Sequence, residues 1–283
     1  MESISDYAFK NCINLESIII HDNVTSIGDS AFEGCSNLKS IILPNNLTSI
    51  RYSAFKGCSS LSSIILPNNL TSIGMETFEG CSSLSSIILP NNLTSIEDSV
   101  FKGCSNLTSI VLPNKLKEIN EFAFALCENL VTINIVDSLR EISYTAFLGC
   151  YKLESITISE NFKLYNGILY NSYFTRIVIV TSLSGNVTLH ENIRYIKEKL
   201  FYGQSKITTI NFSTELIGIG EYAFGNCWSL ESIKIPKSVI YIGKAAFLNC
   251  ISLTTISFEE NFKKEFFNRT FAGCNKLTTI YVS

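Results

Sequence analysis

Apolar residues return along the chain at fixed positions, with a period of 23 residues. A phenylalanine is usually followed by cysteine, leucine and isoleucine three, six and nine positions later, as in Phe32, Cys35, Leu38 and Ile41. The phenylalanines of this pattern are Phe9, Phe32, Phe55, Phe78, Phe101, Phe124 and Phe147 and, after an interruption, Phe201, Phe224, Phe247 and Phe271. A fixed period of roughly 20–50 residues is typical of a stacked array, in which each repeat buries its apolar face against its neighbours. The pattern therefore predicts a solenoid.

Two kinds of spacing alternate within one repeat. Phe32, Cys35 and Leu38 are spaced as on one face of a helix, which predicts one or two turns of α- or 3₁₀-helix facing inward. The β-branched run 40–44 ends in proline, which predicts a strand that stops there. The fold class is thus an α/β solenoid, with a parallel sheet on one face and short helices or 3₁₀ turns on the other.

Alternation along each strand places a column of central residues on the outside of the sheet. The column is apolar in the first five repeats and polar from Asn134 onward. Its apolar members are Ile19, Ile42, Ile65, Ile88 and Val111, and the serines beside them include Ser40, Ser63 and Ser86. Contiguous exposed apolar patches often mark interaction sites, so these residues are candidates for binding a protein. Copying of a good strand sequence explains the column equally well, because residues 58–73 and 81–96 are identical.

The repeat is interrupted between Phe147 and Phe201, which lie 54 residues apart. We predict one solenoid over 1–283, with a regular block at 1–160, an island at 161–186 and a second block at 187–283.

Asn166-Gly167 in the island is a strong turn signal, which predicts a small hairpin standing off the solenoid. Tyr165 and Tyr170 flank this turn and are further contact candidates, since array insertions often lie on the binding face. The alternative to a binding role is that the island is a structural connection between the two blocks of repeats. Trp228, directly after Cys227, is a last candidate, although packing against the next repeat is equally plausible for it.

All ten cysteines occupy one repeat position, and no CxxC pair is present to begin a zinc site. We expect small, buried, unreactive thiols. Neither a metal nor a cofactor is expected.

The formal charge of −3 is too small to indicate nucleic acid as a partner. No apolar run approaches the ~18 residues of a membrane span. Two histidines and no catalytic motif argue against an enzyme, because identical repeats do not bring different reactive groups to one point. No signal peptide is visible at the N-terminus, which makes a cytoplasmic location the alternative to a surface one.

The motif Ile-Gly-x-x-Ala-Phe-x-x-Cys, present at 27–35 and 219–227, resembles the leucine-rich repeats of the BspA type, also called the Treponema pallidum type. The likeness covers nearly the whole chain, and the Asn166-Gly167-Ile168-Leu169-Tyr170 island resembles an interruption common in that family. The family is abundant in anaerobic bacteria and in protist parasites such as trichomonads and entamoebae. The resemblance implies a leucine-rich-repeat stack and a surface-associated or secreted protein that binds host or extracellular-matrix proteins.

Three functions follow from these observations. The first is a protein-binding or adhesion module that uses its sheet face and island. The second is an intracellular scaffold or regulator, which the thiols and the missing signal favour. The third is self-assembly through open terminal strands.

Overall fold

Short β-strands and the turns between them make up the chain. The computed structural model describes residues 2–259 and 268–282, so residues 260–267 of the predicted second block lie outside the described part. The described residues fall into an N-terminal unit, Met1–Asn161, and a C-terminal unit, Phe162–Ser283.

The strands of the N-terminal unit are two or three residues long. They are β1 (Ser3–Ile4), β2 (Ser17–Ile19), β3 (Ser26–Ile27), β4 (Ser40–Ile42), β5 (Ser49–Ile50), β6 (Ser72–Ile73), β7 (Ser95–Ile96), β8 (Ser109–Ile110), β9 (Glu118–Ile119), β10 (Thr132–Asn134), β11 (Glu141–Ile142) and β12 (Ser155–Thr157).

Strands in the C-terminal unit reach six residues. They are β13 (Phe162–Tyr165), β14 (Ile168–Asn171), β15 (Ile177–Val180), β16 (Ser184–Thr188), β17 (Tyr195–Ile196), β18 (Lys206–Asn211), β19 (Gly218–Ile219), β20 (Ser232–Ile235), β21 (Tyr241–Ile242), β22 (Thr255–Phe258) and β23 (Thr279–Val282).

Each unit contains two parallel ladders, which we call the front sheet and the side sheet. The front sheet pairs β2 with β4 and orders β8-β10-β12 in the N-terminal unit, and it orders β16-β18-β20-β22-β23 in the C-terminal unit. The side sheet orders β1-β3-β5-β6 and β7-β9-β11 in the former and β17-β19-β21 in the latter. The predicted parallel sheet is confirmed, whereas the side sheet was missed because its strands are only two residues long.

The predicted helices and 3₁₀ turns are wrong for the described residues, where no helix is present. The segment around each phenylalanine is a series of turns with two left-handed residues, Ser30 (φ 52°) and Gly34 (φ 73°) in the repeat of Phe32. A right-handed helix cannot pass through two left-handed residues four positions apart.

Hydrogen bonding between repeats also excludes a helix. The N–H groups of Phe32 and Gly34 donate to the carbonyls of Ala54 and Lys56 in the next repeat, at 2.8 and 2.7 Å. The N–H of Glu33, between them, donates locally to the Ser30 carbonyl, and that of Cys35, the next residue after Gly34, donates locally to the Phe32 carbonyl. Because every second N–H reaches the next repeat, the local ladder that defines a helix cannot form. Spacing of apolar residues alone does not reveal this.

The core of each unit is a stack of phenylalanine rings. Neighbouring rings lie 5.1–5.7 Å apart from Phe9 to Phe147 and 5.0–5.5 Å apart from Phe201 to Phe271. Their planes are within 15° of parallel in every pair. The 23-residue period thus corresponds to one turn of backbone in each unit.

The cysteines form a second column of the core. Cys58 Sγ donates to the Phe32 carbonyl at 3.2 Å. The same bond to the preceding repeat is made by Cys35, Cys81, Cys104, Cys127, Cys150, Cys227, Cys250 and Cys274. Burial raises the pKa of the Cys81 and Cys227 thiols to about 12, so they stay protonated at neutral pH. Cys12 is exposed, contrary to expectation, because no described repeat packs on that side of it.

The island is a three-stranded antiparallel sheet in the order β13-β14-β15. Asn166 and Gly167 form the turn of its hairpin, both left-handed, at φ 49° and 74°. The expectation that this hairpin stands off is wrong, since Ile168 and Ile177 are buried in the same core as Phe201. β15, which contains Val178, is antiparallel to β14 and entirely buried, so it is not a strand of the parallel front sheet.

Candidate protein-binding surface

The predicted apolar column lies on the outside of the front sheet of the N-terminal unit. Ile19, Ile42, Ile65, Ile88 and Val111 are 62–83% exposed, and we call them the apolar stripe. Their sequence neighbours alternate with them, since Ile64 and Ile87 are buried. The two-residue period of a strand thus gives one isoleucine to the core and the next to the surface.

Parallel pairing aligns members of the stripe with one another. Ile19 pairs with Ile42, and Ile88 pairs with both Ile65 and Val111 through isolated bridges. No pair joins Ile42 to Ile65 among the described residues of the front sheet, although β5 and β6 of the same repeats pair on the side sheet.

The surroundings of the stripe are neutral in its middle part. Ser40, Ser63 and Ser86 are exposed beside it, as predicted. Residues 58–73 and 81–96 contain no charged residue. On the other flank, turn asparagines bond across repeats, as when Asn69 Nδ2 donates to the Asn45 carbonyl at 3.0 Å.

A groove of about 340 Å³ lies on the last part of the stripe. Ile88 and Val111 line it together with Asn91, Pro113 and Asn114. Apolar side chains with a few amides at the rim are typical of a surface that seats another molecule.

The stripe ends where the outward residue becomes Asn134. The Asn134 side chain accepts a hydrogen bond from the Leu112 N–H at 3.2 Å. Asn134 therefore folds back onto the sheet backbone, and the apolar surface stops at Val111.

A row of charged side chains lies in another part of the repeat in the N-terminal unit. The residue after each of the first five repeat phenylalanines, Phe9 to Phe101, alternates in sign, and this charge ladder consists of Lys10, Glu33, Lys56, Glu79 and Lys102. Ammonium and carboxylate groups lie 2.9 Å apart in the pairs Lys10–Glu33, Lys56–Glu79 and Lys102–Glu79. Sequence reasoning missed the ladder, although the alternation at a spacing of 23 residues was available as a signal.

Two carboxyl groups in or beside the charge ladder have shifted pKa values. Burial raises the pKa of Glu33, but hydrogen bonds from Ser30 and Lys10 and nearby positive charge outweigh it, so the pKa is lowered. Burial likewise raises the pKa of Glu76, and hydrogen bonds led by that from Lys56 lower it below its ordinary value.

The island places its two candidate tyrosines differently. Tyr165 is 40% exposed. Tyr170 is fully buried, and its hydroxyl accepts a hydrogen bond from the His190 N–H at 3.3 Å. Burial raises the Tyr170 pKa to about 12. Tyr170 therefore cannot contact a partner as expected, because its side chain points from β14 into the core.

The structure adds two aromatic residues that sequence reasoning did not select. The rings of Phe174 and His190 stack at 4.0 Å, 10° from parallel. Tyr165 meets both edge-on, at 6.5 Å from Phe174 and 5.6 Å from His190. Their contact joins the island to the loop after β16, 16 residues apart in sequence, so no local pattern predicts it. Trp228 lies in the turn before β20 and is half exposed.

The described residues provide no group of three or more His, Cys, Asp or Glu side chains that could hold a metal ion. Within the same residues, no helix is long and apolar enough to cross a membrane.

Three crystal structures show the kind of protein that this chain is similar to. A leucine-rich cell surface protein of Faecalibacterium prausnitzii is 25% identical over 100% of this chain and 83% of its own, with a TM-score of 0.83. A leucine-rich repeat protein of Bacteroides ovatus is 28% identical over 98% of this chain and 87% of its own, with a TM-score of 0.58. The leucine-rich repeat protein of Treponema pallidum is 34% identical over 53% of this chain and 71% of its own, with a TM-score of 0.50.

A comparison with curated protein sequences finds no match. The family model for the BspA type leucine rich repeat region, six copies, matches residues 2–111, 94–185 and 181–283. The resemblance predicted from the sequence is confirmed, and the chain belongs to the BspA-type leucine-rich repeat family.

Proposed function

We propose that this chain is a non-enzymatic, surface-associated module that binds a host or matrix protein through the apolar stripe. The observation that carries the proposal is the exposure of five β-branched side chains in one column, with neutral surroundings in its middle part. Soluble proteins rarely leave such patches uncovered unless a partner uses them.

The stripe offers enough apolar surface for a specific contact. Fully burying an isoleucine contributes about 1.5–3 kcal/mol. Covering Ile65, Ile88 and Val111 therefore contributes on the order of 5 kcal/mol before the entropy cost of association is subtracted. Hydrogen bonds to the serine and asparagine rows would add orientation more than affinity.

The neutral surroundings indicate which partner surface fits. A partner with an apolar strand or loop can cover the stripe without desolvating a charge. Affinity should change little between low and physiological salt, because screening acts on charges.

Surface location is supported by similarity to the Faecalibacterium protein, which is described as a leucine-rich cell surface protein. The likeness of repeats and fold supports a protein-interaction role in general; adhesion and a host ligand are the specific parts of the proposal.

Binding to purified matrix proteins tests the proposal. We would measure biolayer interferometry of the full chain against immobilised fibronectin, laminin and collagen I, after sedimentation velocity over a concentration series has established whether the chain self-associates. We expect saturable binding to at least one of them and a loss of at least about tenfold for Ile65→Glu/Ile88→Glu, since charge is placed in an apolar contact.

Ser155→Glu/Thr157→Glu is the matched control. It adds the same two charges at exposed positions on β12 of the same front sheet. Binding that the isoleucine variant leaves intact, or that the control weakens equally, would refute a role for the stripe.

A second candidate is an intracellular scaffold. It is favoured by the ten cysteines, all of them free thiols, since disulfides are rare in reducing compartments. Parallel pull-downs from cytosol and from a host-surface extract separate the two candidates: a cytosolic partner lost with Ile65→Glu/Ile88→Glu would favour the scaffold.

A further inference from the structure

The C-terminal unit carries an exposed cluster of aromatic and amide side chains, separate from the apolar stripe. We define the aromatic–amide cluster as Tyr165, Phe174, His190, Asn186, Thr188 and Asn211. We infer that this cluster is a binding site for a neutral carbohydrate.

The aromatic half is a small platform of rings. Phe174 and His190 stack face to face, and Tyr165 stands edge-on to both. Phe174 and His190 are half-buried, Tyr165 is exposed, and the neighbouring Tyr173 is 77% exposed. The Tyr173 backbone is held by Asn192 Nδ2, which donates to its carbonyl at 3.4 Å.

Ring orientation is fixed from beneath. The Tyr170 hydroxyl accepts a hydrogen bond from the backbone N–H of His190. The ring atom His190 Nδ1 accepts one from the backbone N–H of Asn192 at 3.2 Å. The imidazole therefore has its Nε2 as the remaining polar atom. A platform held by the core and by backbone contacts loses little entropy when a ligand stacks on it.

The amide half is an ordered network beside the platform. Asn211 Nδ2 donates to Asn186 Oδ1 at 3.1 Å and to Thr188 Oγ1 at 3.0 Å. This leaves the amide nitrogen of Asn186 and the amide oxygen of Asn211 without a partner among the described residues. One donor and one acceptor are thus presented side by side.

The two halves meet at the end of β16. Asn186 and Thr188 point outward from β16, while Val187 and Leu189 are buried. His190 lies two residues beyond Thr188, in the loop after β16, so the two residues are at most about 7 Å apart along the chain. Rings and amides therefore lie within the length of one or two sugar residues.

The chemistry of the cluster matches that of a pyranose. Such a sugar has an apolar C–H face that stacks on an aromatic ring and hydroxyls that both donate and accept hydrogen bonds. All six side chains of the cluster lack a carboxylate, an ammonium or a guanidinium, so a neutral sugar fits better than an acidic one. An apolar protein segment would leave the amides of Asn186 and Asn211 unpaired, which carries a cost.

The test is binding of defined neutral tetrasaccharides to the full chain. We would titrate cellotetraose, laminaritetraose and tetra-N-acetylchitotetraose by isothermal calorimetry. The chain is produced in a bacterium without N-glycosylation, because Asn186 and Asn211 both begin Asn-x-Thr/Ser sequons. We expect one of them to saturate the chain.

Three variants assign the site. Tyr165→Ala should weaken binding about fivefold, the effect of losing one aromatic contact, and Asn211→Ala should weaken it about threefold, the effect of one hydrogen bond. Tyr195→Ala is the matched control, since Tyr195 is 56% exposed on the side sheet of the same unit, and it should leave affinity unchanged. Thermal melting confirms that each variant is folded.

Saturation by none of the three sugars would overturn the inference, as would equal losses for Tyr165→Ala and Tyr195→Ala. Binding of a peptide library in a manner sensitive to Tyr165, without sugar binding, would assign the cluster to a protein partner instead. Ile65→Glu/Ile88→Glu should bind the sugar normally, so this result is independent of the proposed function.

Discussion

The outward column of the front sheet reads Ile19, Ile42, Ile65, Ile88, Val111, Asn134 and Thr157 in the N-terminal unit and Thr188, Asn211, Lys234, Ser257 and Tyr281 in the C-terminal unit. Beneath both columns the inward residues are the same, a buried isoleucine at Ile87 or Ile233 for example. The N-terminal unit therefore presents an apolar stripe over its first five repeats, whereas the described column of the C-terminal unit is polar up to Tyr281. The buried inward residues, which we call the frame, are alike in both units. The comparison shows that the inward positions build the fold, whereas the outward positions are free to carry recognition.

If the two units share the same inward residues, deleting a core ring should cost a similar free energy of unfolding in each. Phe78 and Phe224 are both fully buried between two neighbouring rings. We expect Phe78→Ala and Phe224→Ala each to lower the free energy of unfolding by about 3–5 kcal/mol, the usual cost of deleting a buried ring. Urea unfolding followed by circular dichroism measures both values.

Hydrogen exchange of each variant would show where the loss falls, because a repeat depends directly on its neighbours alone. Phe78→Leu and Phe224→Leu, which retain most of the volume, serve as controls with smaller losses. If one alanine variant cost less than 1 kcal/mol, the two units would not share one frame.

Charge distinguishes the units more than the core does. The charge ladder occupies the position after the phenylalanine in the first five repeats of the N-terminal unit. The last two repeats of that unit have Ala125 and Leu148 there, and the C-terminal unit has Tyr202, Gly225, Leu248 and Ala272. In the latter, Lys234 and Glu259 form an ion pair at 2.9 Å. A hydrogen bond from Lys234 leads the causes that lower the pKa of Glu259.

Acid should therefore affect the N-terminal unit more. A carboxyl whose pKa is lowered by folding stabilises the fold above its ordinary pKa of 4.5 and loses that effect as pH falls through the folded value. We expect Glu33 and Glu76 together to contribute about 1–2 kcal/mol at pH 7, as partly exposed ion pairs do, and nothing near pH 2. Urea unfolding between pH 7 and pH 2 measures this loss.

Glu33→Gln/Glu76→Gln should reduce the loss of stability in acid, and Glu259→Gln should reduce it less. If the Glu33→Gln/Glu76→Gln variant lost as much stability in acid as the unsubstituted chain, the two carboxyl groups would not be the cause of the acid sensitivity.

Lys56 adds a loss of stability in alkali, since burial lowers its pKa but the hydrogen bonds of Glu76 and Glu79 raise it well above 10.5. That contribution is present below 10.5 and lost as pH rises further.

How far the sequence predicts these features depends on whether the relevant contacts are periodic. The stack of phenylalanines, the parallel front sheet and the outward direction of Ile65 and Ile88 all follow from spacings of 23 and 2 residues. The turns around Phe32 were mistaken for a helix because apolar spacing does not report which N–H groups bond to the next repeat. The column of left-handed positions, glycine at Gly34, was the available clue.

The site in the C-terminal unit was harder to predict because its contacts are not periodic. Tyr165 and Tyr170 flank one turn, yet Tyr165 is exposed and Tyr170 is buried, because β14 packs against the core. The stack of Phe174 on His190 depends on how the island folds back onto β16. Neither the Asn166-Gly167 turn nor the composition of the segment contains that information.

The smallest expected effect is the sharpest test of what the outward column is for. Ile65→Thr/Ile88→Thr keeps β-branched residues of high strand propensity at exposed positions, so we expect stability to change by at most about 0.5 kcal/mol. The neighbouring inward pair, Ile64→Thr/Ile87→Thr, should cost more than about 2 kcal/mol, because each hydroxyl replaces a buried ethyl group. Thermal and urea unfolding of the two double variants give this contrast within the same two repeats.

Stability and binding together then decide between the two origins of the apolar stripe. If Ile65→Thr/Ile88→Thr leaves stability unchanged and abolishes binding to the matrix protein, the isoleucines serve recognition. If it costs as much as the inward pair, they serve the fold, and the apolar column is part of the frame. If it changes neither quantity, duplication of residues 58–73 as 81–96 accounts for the stripe, because a copied strand carries its outward residue along with its inward ones.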